Sequence, residues 1–493
     1  MKTTALHRIA EAPMAASAFT DLVTWILGCD AASRSLHEVE TETSDRIREV
    51  ARLLLQEHVE SRGTGDVGEA IEIDAGDGMC DVLSHRRVRE RQYLSLFGPI
   101  TIERQTFGRR GRPGIAPLDE ELSLPSRLYS YPLQRRLTTG VARGPFAEAV
   151  AAVEETTGTR VGSANVYDVV IDAAQDFEPF YAERSGSPPD ADATILVATI
   201  DGKGVPMRPA TGEPMPARER GTKGPRPNSK REARVAAVYS IAPFVRTPVD
   251  ILGEIGEKNG PKAVGPQRPR PQDKRVWASL KKSKDEMFVE LAEEMLKRDP
   301  QRKRTWVCVT DGDPALQNRA LAALGADGEV TLVLDIFHVT EYLWEAGRAF
   351  HGEGTKATRE WVDYYLEKIL YGEASEAVRG MRQSATKRRM RGAKRKAVDK
   401  AAKYILRNQA FMKYDEYLAA GIPIGSGVAE GTCRHLVKDR MERTGMRWTM
   451  RCAEAVLKMR AIEICGDTQA YWNFHIEREQ ARLRGGTKWQ IAA

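Results

Sequence analysis

The chain has 493 residues, 41% of them hydrophobic and 29% charged, with a formal net charge of +6. These values fit a folded globular chain of two or three domains and exclude a low-complexity or fibrous one. Six cysteines without a CxxC pair exclude a zinc ribbon and a disulfide scaffold. No apolar run approaches the ~20 residues of a membrane span. Arg8, Glu11 and Asp21 interrupt the amino terminus, which does not read as a signal peptide, so a cytoplasmic setting is expected.

In chain order, Ile47, Val50, Leu53 and Leu54 fall at helical spacing and predict a helix over Asp45–Gln56. Gln92–Phe97 and Ile100–Phe107 read as paired strands around a Gly98–Pro99 turn. Arg109, Arg110 and Arg112 just beyond them read as a solvated loop. From Leu128 to Ala174 the pattern is helical, with helices at Pro132–Ala142 and Pro145–Thr156, a turn at Thr157–Gly162, and a helix from Ser163. That outline reads equally as a helix-turn-helix or as an ordinary helical hairpin. The last helix carries Asn165, Tyr167 and Asp168 but no Lys or Arg, which weakens it as a recognition helix.

Ser185–Asp190 reads as a linker into a second domain. Its first strand, Ala193–Ile200, is expected to end at Asp201, and a basic Pro/Gly-rich loop spans Lys203–Arg231. Arg234–Ile241 is a strand, residues 254–275 a second loop, and Phe288–Leu296 an amphipathic helix. Thr305–Thr310 is a strand ending at Asp311, Pro314–Leu324 a helix, and Val330–Leu334 a strand. The remainder is almost wholly helical. The class is α/β, a mixed sheet flanked by helices. Four regions are expected: 1–184, mainly helical with a short β element; 191–340; 341–420, helical and basic; and 421–493.

Asp201 and Asp311, each followed by glycine, are placed to meet at one edge of the sheet. A single Asp-Gly is ordinarily turn chemistry; the set is what points to a site. Asp335, ending the Val330–Leu334 strand, competes with Asp311, and Asp313 is a weaker alternative. Asp335 and His338 also fit a structural role near the floor of the site. In Ile424–Met441, Ser426 can cap a helix on which Glu430, Arg434 and Lys438 fall four apart, with Arg440 beyond. The bland reading of that helix is an exposed ion pair between Glu430 and Arg434. Two strand-end aspartates and a helix-borne glutamate suit Mg²⁺, with Mn²⁺ as a substitute, for displacement at phosphorus.

Val378–Arg407 holds twelve Lys/Arg against Asp399 alone. Helical spacing around Met390, Val398 and Tyr404–Leu406 predicts a folded helix presenting Arg388, Arg389, Arg395 and Lys396 to nucleic-acid phosphate. A solvated charge run is the alternative. Trp344 and Trp448 suit core packing better than stacking on an unpaired base.

Thr199–Gly202, Val309–Gly312, Asp335–His338, and the string from Ile422 to Thr449 with its Arg443-Thr-Gly-Met-Arg-Trp448 segment resemble bacterial insertion-sequence DDE transposases. The resemblance is to the ISKra group, kin of Mutator-type enzymes, and covers the carboxyl-terminal two-thirds. It implies an RNase H-like fold with a helical insertion before the glutamate; the interval from Asp311 to Glu430, 430 − 311 = 119 residues, is enough for one. It further implies Asp201, Asp311 and Glu430 as catalytic metal ligands, and Asp335–His338 as the accessory motif. The partners implied are terminal inverted repeats and target DNA, bound in a bacterial nucleoid by a chain that is at least dimeric. Paired cysteines that relatives carry near residues 107–113 are missing here. A structure-specific nuclease with the same core, or a non-catalytic transposase-derived DNA-binding protein, are the alternatives.

Overall fold

The computed structural model describes residues 12–74, 80–111, 114–184, 186, 188–209, 230–256, 268–425, 427–485 and 489–492. The chain divides into two compact units: Met1–Glu183 with Gly466–Ala493, and Arg184–Cys465.

In the first unit, α1 (Pro13–Ile26) packs on α2 (Leu36–Glu60), a longer helix than its central spacing predicts. Ser35 and Glu38 form a capping box that starts α2. Near its other end, buried Glu57 accepts the Met14 amide at 2.6 Å and the Ala15 amide at 3.2 Å, two donors left over by the first turn of α1. Short strands β1 (Ile71–Asp74) and β2 (Cys80–Leu83) precede β3 (His85–Ser95) and β4 (Gly98–Gly108). β3 and β4 form an antiparallel ribbon in unbroken register from His85↔Gly108 to Ser95↔Gly98. Gly98 closes its turn at φ +124°, a conformation side chains disfavour. Ile100 and Ile102 pack against Val59 of α2 and Leu118 of α3 (Pro117–Glu121).

Four helices follow: α4 (Tyr131–Arg143), α5 (Phe146–Thr157), α6 (Ser163–Ala173) and α7 (Phe177–Glu183). Gly158 ends α5 as a left-handed cap at φ +68°. The exposed face of α6 presents Ser163, Asn165, Tyr167 and Asp168. Of these, Asn165 donates to the Tyr129 hydroxyl at 2.9 Å and Tyr167 stacks on Phe146 at 4.3 Å.

The second unit is built on β5 (Ile195–Pro206), β6 (Lys230–Ile241), α8 (Pro248–Gly256), β7 (Gln272–Ser279), α9 (Lys284–Arg298), β8 (Thr305–Thr310), α10 (Pro314–Leu324) and β9 (Thr331–Leu334). Strand order is β7-β6-β5-β8-β9; the first three are antiparallel neighbours, and β8 and β9 run parallel to β5. Helices α11 (Ile336–His351), α12 (Lys356–Leu370), α13 (Ala374–Lys387), α14 (Gly392–Asn408) and α15 (Tyr414–Ala419) cover one face. There Val197, Val309 and Val333 share a core with Leu343, Leu366 and Ile405. Last come α16 (Gly427–Thr432), a π-helical turn over Cys433–Lys438, and α17 (Met450–Cys465).

Three expectations about strand and helix bounds change. β5 runs through Asp201 to Pro206, because β6 pairs with it as far as Pro206↔Lys230. β7 begins at Gln272, inside the segment expected to be loop, where Gln272 and Arg275 pair with Ser240 and Val238 of β6. The basic stretch is two helices, broken at residues 388–391 with Arg389 at φ +52° and Gly392 at φ +59°. Lys387, Arg388, Arg389 and Arg391 would repel one another in a continuous helix, and Gly392 weakens one further.

Residues 466–493, expected to belong with the glutamate-bearing helix, complete the first unit through α18 (Thr468–Arg484) and β10 (Trp489–Ile491). β10 pairs with β1, and Gln480 donates to the Leu124 carbonyl at 3.2 Å and to the Tyr131 hydroxyl at 2.5 Å. Buried Asp176 meets His475 Nδ1 at 2.7 Å and both Arg482 Nη atoms at 2.6 and 2.9 Å. Burial raises its carboxyl pKa, but His475 and Arg482 outweigh that and hold it below the ordinary range. Among the described residues no helix is long and apolar enough to cross a membrane.

Candidate active site

β5 and β8 pair in parallel as far as Thr199↔Val309, and β8 and β9 as far as Thr310↔Leu334. Asp201 and Asp311 each lie two residues past the first pair; Asp311 and Asp335 each lie one past the second. Strand alternation sets Asp201 on the face of Val197, while Asp311 and Asp335 follow directly on the ends of β8 and β9. β8 ends at Thr310 while β5 continues past Asp201, paired with β6 and, at its end, bridged to Trp448, whose amide donates to the Pro206 carbonyl at 3.1 Å.

Asp201 and Asp311 are both half-buried. Asp201 Oδ1 accepts the Gly202 amide at 2.6 Å, and Asp311 Oδ1 accepts the Asp313 amide at 3.0 Å. The second oxygen of each has no hydrogen-bond partner among the described residues. Asp313 turns away to cap α10, accepting the Ala315 amide at 3.0 Å.

Asp335 is 2% exposed and caps α11, accepting the Phe337 amide at 3.0 Å. Its own amide donates to the Thr310 carbonyl at 2.9 Å. His338 is half-exposed and pairs with Glu341, Nδ1 to Oε2 at 3.6 Å.

The floor under Asp311 comes from α14, which the sequence reading assigned only to phosphate contact. The Tyr404 hydroxyl donates to the Asp311 carbonyl at 2.7 Å, and Arg407 Nη2 to the Gly312 carbonyl at 3.0 Å. Burial first, then Tyr342, Asp311 and Asp335, push the Tyr404 pKa above its ordinary range, so the hydroxyl stays a proton donor. Gly312 sits at φ +84°, where a Cβ would lie 2.7 Å from both Leu334 Cδ1 and the Tyr404 hydroxyl. Helical spacing alone offered no sign of this role, because Tyr404, Arg407 and Asn408 read locally as one more amphipathic turn.

α16 lies against β5 and β6, which brings the backbone of Glu430 to the sheet that carries Asp201. The Glu430 side chain and Ser426, the expected cap, lie outside the described residues. Among the described residues no three His, Cys, Asp or Glu side chains form a group that could hold a metal.

Beyond α16 the helix loosens into the π turn, a feature found often at functional sites. Arg434 and Lys438 remain exposed together. Arg434 Nε lies 3.8 Å from Asp439, and Lys438 adds to Lys230 and Lys203 in lowering the Glu442 pKa, Lys230 foremost through its hydrogen bond. Arg440 departs from the expected phosphate contact. It is 0% exposed, lies 4.7 Å over the Trp448 ring and donates to Met446 Sδ at 2.9 Å. The buried side of this segment is Leu436, Val437, Arg440 and Met441, so the guanidinium faces inward.

Trp448 is itself buried, with its indole N–H on the Met441 carbonyl at 3.0 Å. Trp344 packs half-buried on the core. At the α13–α14 break, Arg388 lies 5.3 Å over the Phe350 ring, and Arg395 pairs with Asp399 at 2.9 Å. Arg389 and Lys396 are exposed, with no ion pair among the described residues.

No protein-family model and no curated protein matches the chain. Among solved structures it is similar to the Drosophila P element transposase strand transfer complex, at 11% identity over 68% of this chain and 79% of that one. The TM-score is 0.23, and a likeness that loose carries no argument about fold or activity.

Proposed function

We propose that this chain is a DNA transposase of RNase H-like fold, with Asp201, Asp311 and Glu430 as its catalytic carboxylates. One observation carries the assignment: Asp201 on β5 and Asp311 just past β8 each lie two residues beyond Thr199↔Val309, the last pair of these adjacent parallel strands, each with an oxygen that has no hydrogen-bond partner among the described residues. An antiparallel β5-β6-β7 meander joined to parallel β8 and β9 supports the RNase H-like reading. α16 beside β5 supports Glu430 as the third member.

These hard oxygen donors fit Mg²⁺, or Mn²⁺ in its place. When bound, such a cation lowers the pKa of an attacking water or 3′-hydroxyl and stabilises the leaving oxygen. The chain's own residues do the rest. Tyr404 and Arg407 hold the Asp311–Gly312 backbone, and Asp335 caps α11 as an accessory group, with His338 outside the metal set. Arg388, Arg389, Arg395, Lys396, Arg434 and Lys438 offer cations to DNA phosphates, with Arg440 a packing residue. Terminal inverted repeats of the element and target DNA are the substrates.

The test is metal-dependent cleavage of DNA carrying the element's ends, followed by joining to a supercoiled target. Asp201→Asn, Asp311→Asn and Glu430→Gln keep shape and remove charge, and each is expected to retain DNA binding while losing cleavage by orders of magnitude. Full cleavage by Asp201→Asn or Glu430→Gln would falsify the mechanism. Cleavage without joining by the unaltered chain points to a nuclease.

A further inference from the structure

β3 carries Arg87, Arg89 and Arg91 at alternate positions, so they share one face of the ribbon. The register sets Arg89 directly opposite Arg104 on β4. Like charges in that relation destabilise a sheet. Burial foremost, with Arg91 and Arg89 beside it, lowers the Arg104 pKa despite Asp119. Asp119 answers two of these cations, Arg91 at 2.9 Å and Arg104. Arg109 reaches Asp81 at 2.7 Å. Arg87, Arg89 and Arg110 form no ion pair among the described residues, and Arg104 Nε is buried without a hydrogen-bond partner.

Arg87, Arg89, Arg104, Arg109 and Arg110 line a cleft of about 420 Å³ in which Asp119 is the one acid among the described residues. Charged strands also discourage edge-to-edge pairing. Arg87, Arg89, Arg109 and Arg110 are exposed, as that purpose asks, but it does not ask for half-buried Arg104 beside them in a cleft with one carboxylate.

We infer that the arginine face of the β3–β4 ribbon binds the phosphate backbone of double-stranded DNA. This rests on the proposed action on DNA and supplies the first unit with a contact surface that α6, with no cation on its exposed face, does not. An antiparallel two-stranded ribbon is of a width the major groove admits, and planar guanidiniums match phosphate oxygens in paired hydrogen bonds.

The experiment measures binding of the full-length chain to a mixed-sequence DNA duplex across a salt series. Combined Arg87→Ala and Arg89→Ala is expected to make the slope of log affinity against log salt shallower by about 1.8, roughly 0.9 for each phosphate released. Its melting temperature is expected to stay level or rise, because Arg89 opposes Arg104; a structural role would lower it. Should that double variant fail to fold, Arg110→Ala lies outside the ladder and is expected to change the slope by about 0.9. An unchanged slope in a folded variant overturns the ribbon assignment and leaves the proposed function standing. No duplex binding by the unaltered chain overturns both readings.

Discussion

The Tyr404 hydroxyl and the Asp311 carbonyl are joined by a 2.7 Å hydrogen bond across 93 residues of sequence, which ties α14 to the loop bearing the second aspartate. Tyr404→Phe removes only that donor. Stability is expected to fall by about 1 kcal/mol, and cleavage to fall further than DNA affinity does. Chemical denaturation and a cleavage assay on one preparation would check both; unaltered cleavage refutes the positioning role.

The two Asp-Gly pairs are expected to respond differently to alanine. Gly312→Ala meets Leu334 and Tyr404 at a positive φ and is expected to cost at least about 1–3 kcal/mol. Gly202→Ala meets only the end of the exposed Glu232 side chain, in extended backbone, and is expected to cost less than about 1 kcal/mol. Equal losses in thermal melts would show that the 311–312 turn is not strained as described.

Asp335 and Asp311 are separable by what each loses. Asp335→Ala removes the cap of α11 and is expected to cost about 1–2 kcal/mol, with Asp335→Asn, which keeps an acceptor, costing less. Asp311→Asn is expected to leave stability within about 0.5 kcal/mol and to abolish cleavage. Full cleavage by Asp311→Asn with none by Asp335→Asn reverses the assignment of the second aspartate.

In the first unit, Asp176 supplies a pH dependence. Its folded pKa lies below the ordinary value, so its contribution is complete above the ordinary carboxylate range and is lost as pH falls through the folded value. Asp176→Asn is expected to cost about 2–4 kcal/mol at neutral pH, by stranding the partners of a buried charge. The gap from the unaltered chain is expected to close below about pH 4. A gap that persists into acid removes the ion pair as its cause.

Ending the chain at Cys465 deletes α18 and β10. The first unit then loses the β1–β10 pairing, the His475 and Arg482 partners of Asp176, and the Gln480 contact to Tyr131. That unit is expected to lose its cooperative melting and to become protease-sensitive, with the second unit still folded. For the same reason a fragment ending near Glu183 is expected to need residues 466–493 rejoined before its DNA preference can be measured. Retained protection of α4–α6 in the shortened chain would contradict this.

Local order was legible in the sequence where a pattern repeats within a few residues. Apolar runs followed by Asp-Gly marked the strands that lead to Asp201 and Asp311 because β-branched residues favour extended backbone and alternate faces. Asp335 was legible as the residue ending the Val330–Leu334 strand; its capping of α11 came only with the structure. Pairing across long stretches of sequence was not legible. β5 continues past Asp201 because β6 supplies partners to Lys203 and Val205, and Arg440 is buried because a π turn and Trp448 receive it. Arg109 and Arg110, read as a loop, join a cleft only because the ribbon's register sets Arg89 across from Arg104. The carboxyl-terminal helix completes the first unit because its Gln480, His475 and Arg482 meet buried partners some 300 residues earlier. Hydrophobic period is a property of neighbours along the chain; register and the burial of charge depend on which distant segment arrives, and that only the tertiary fold decides.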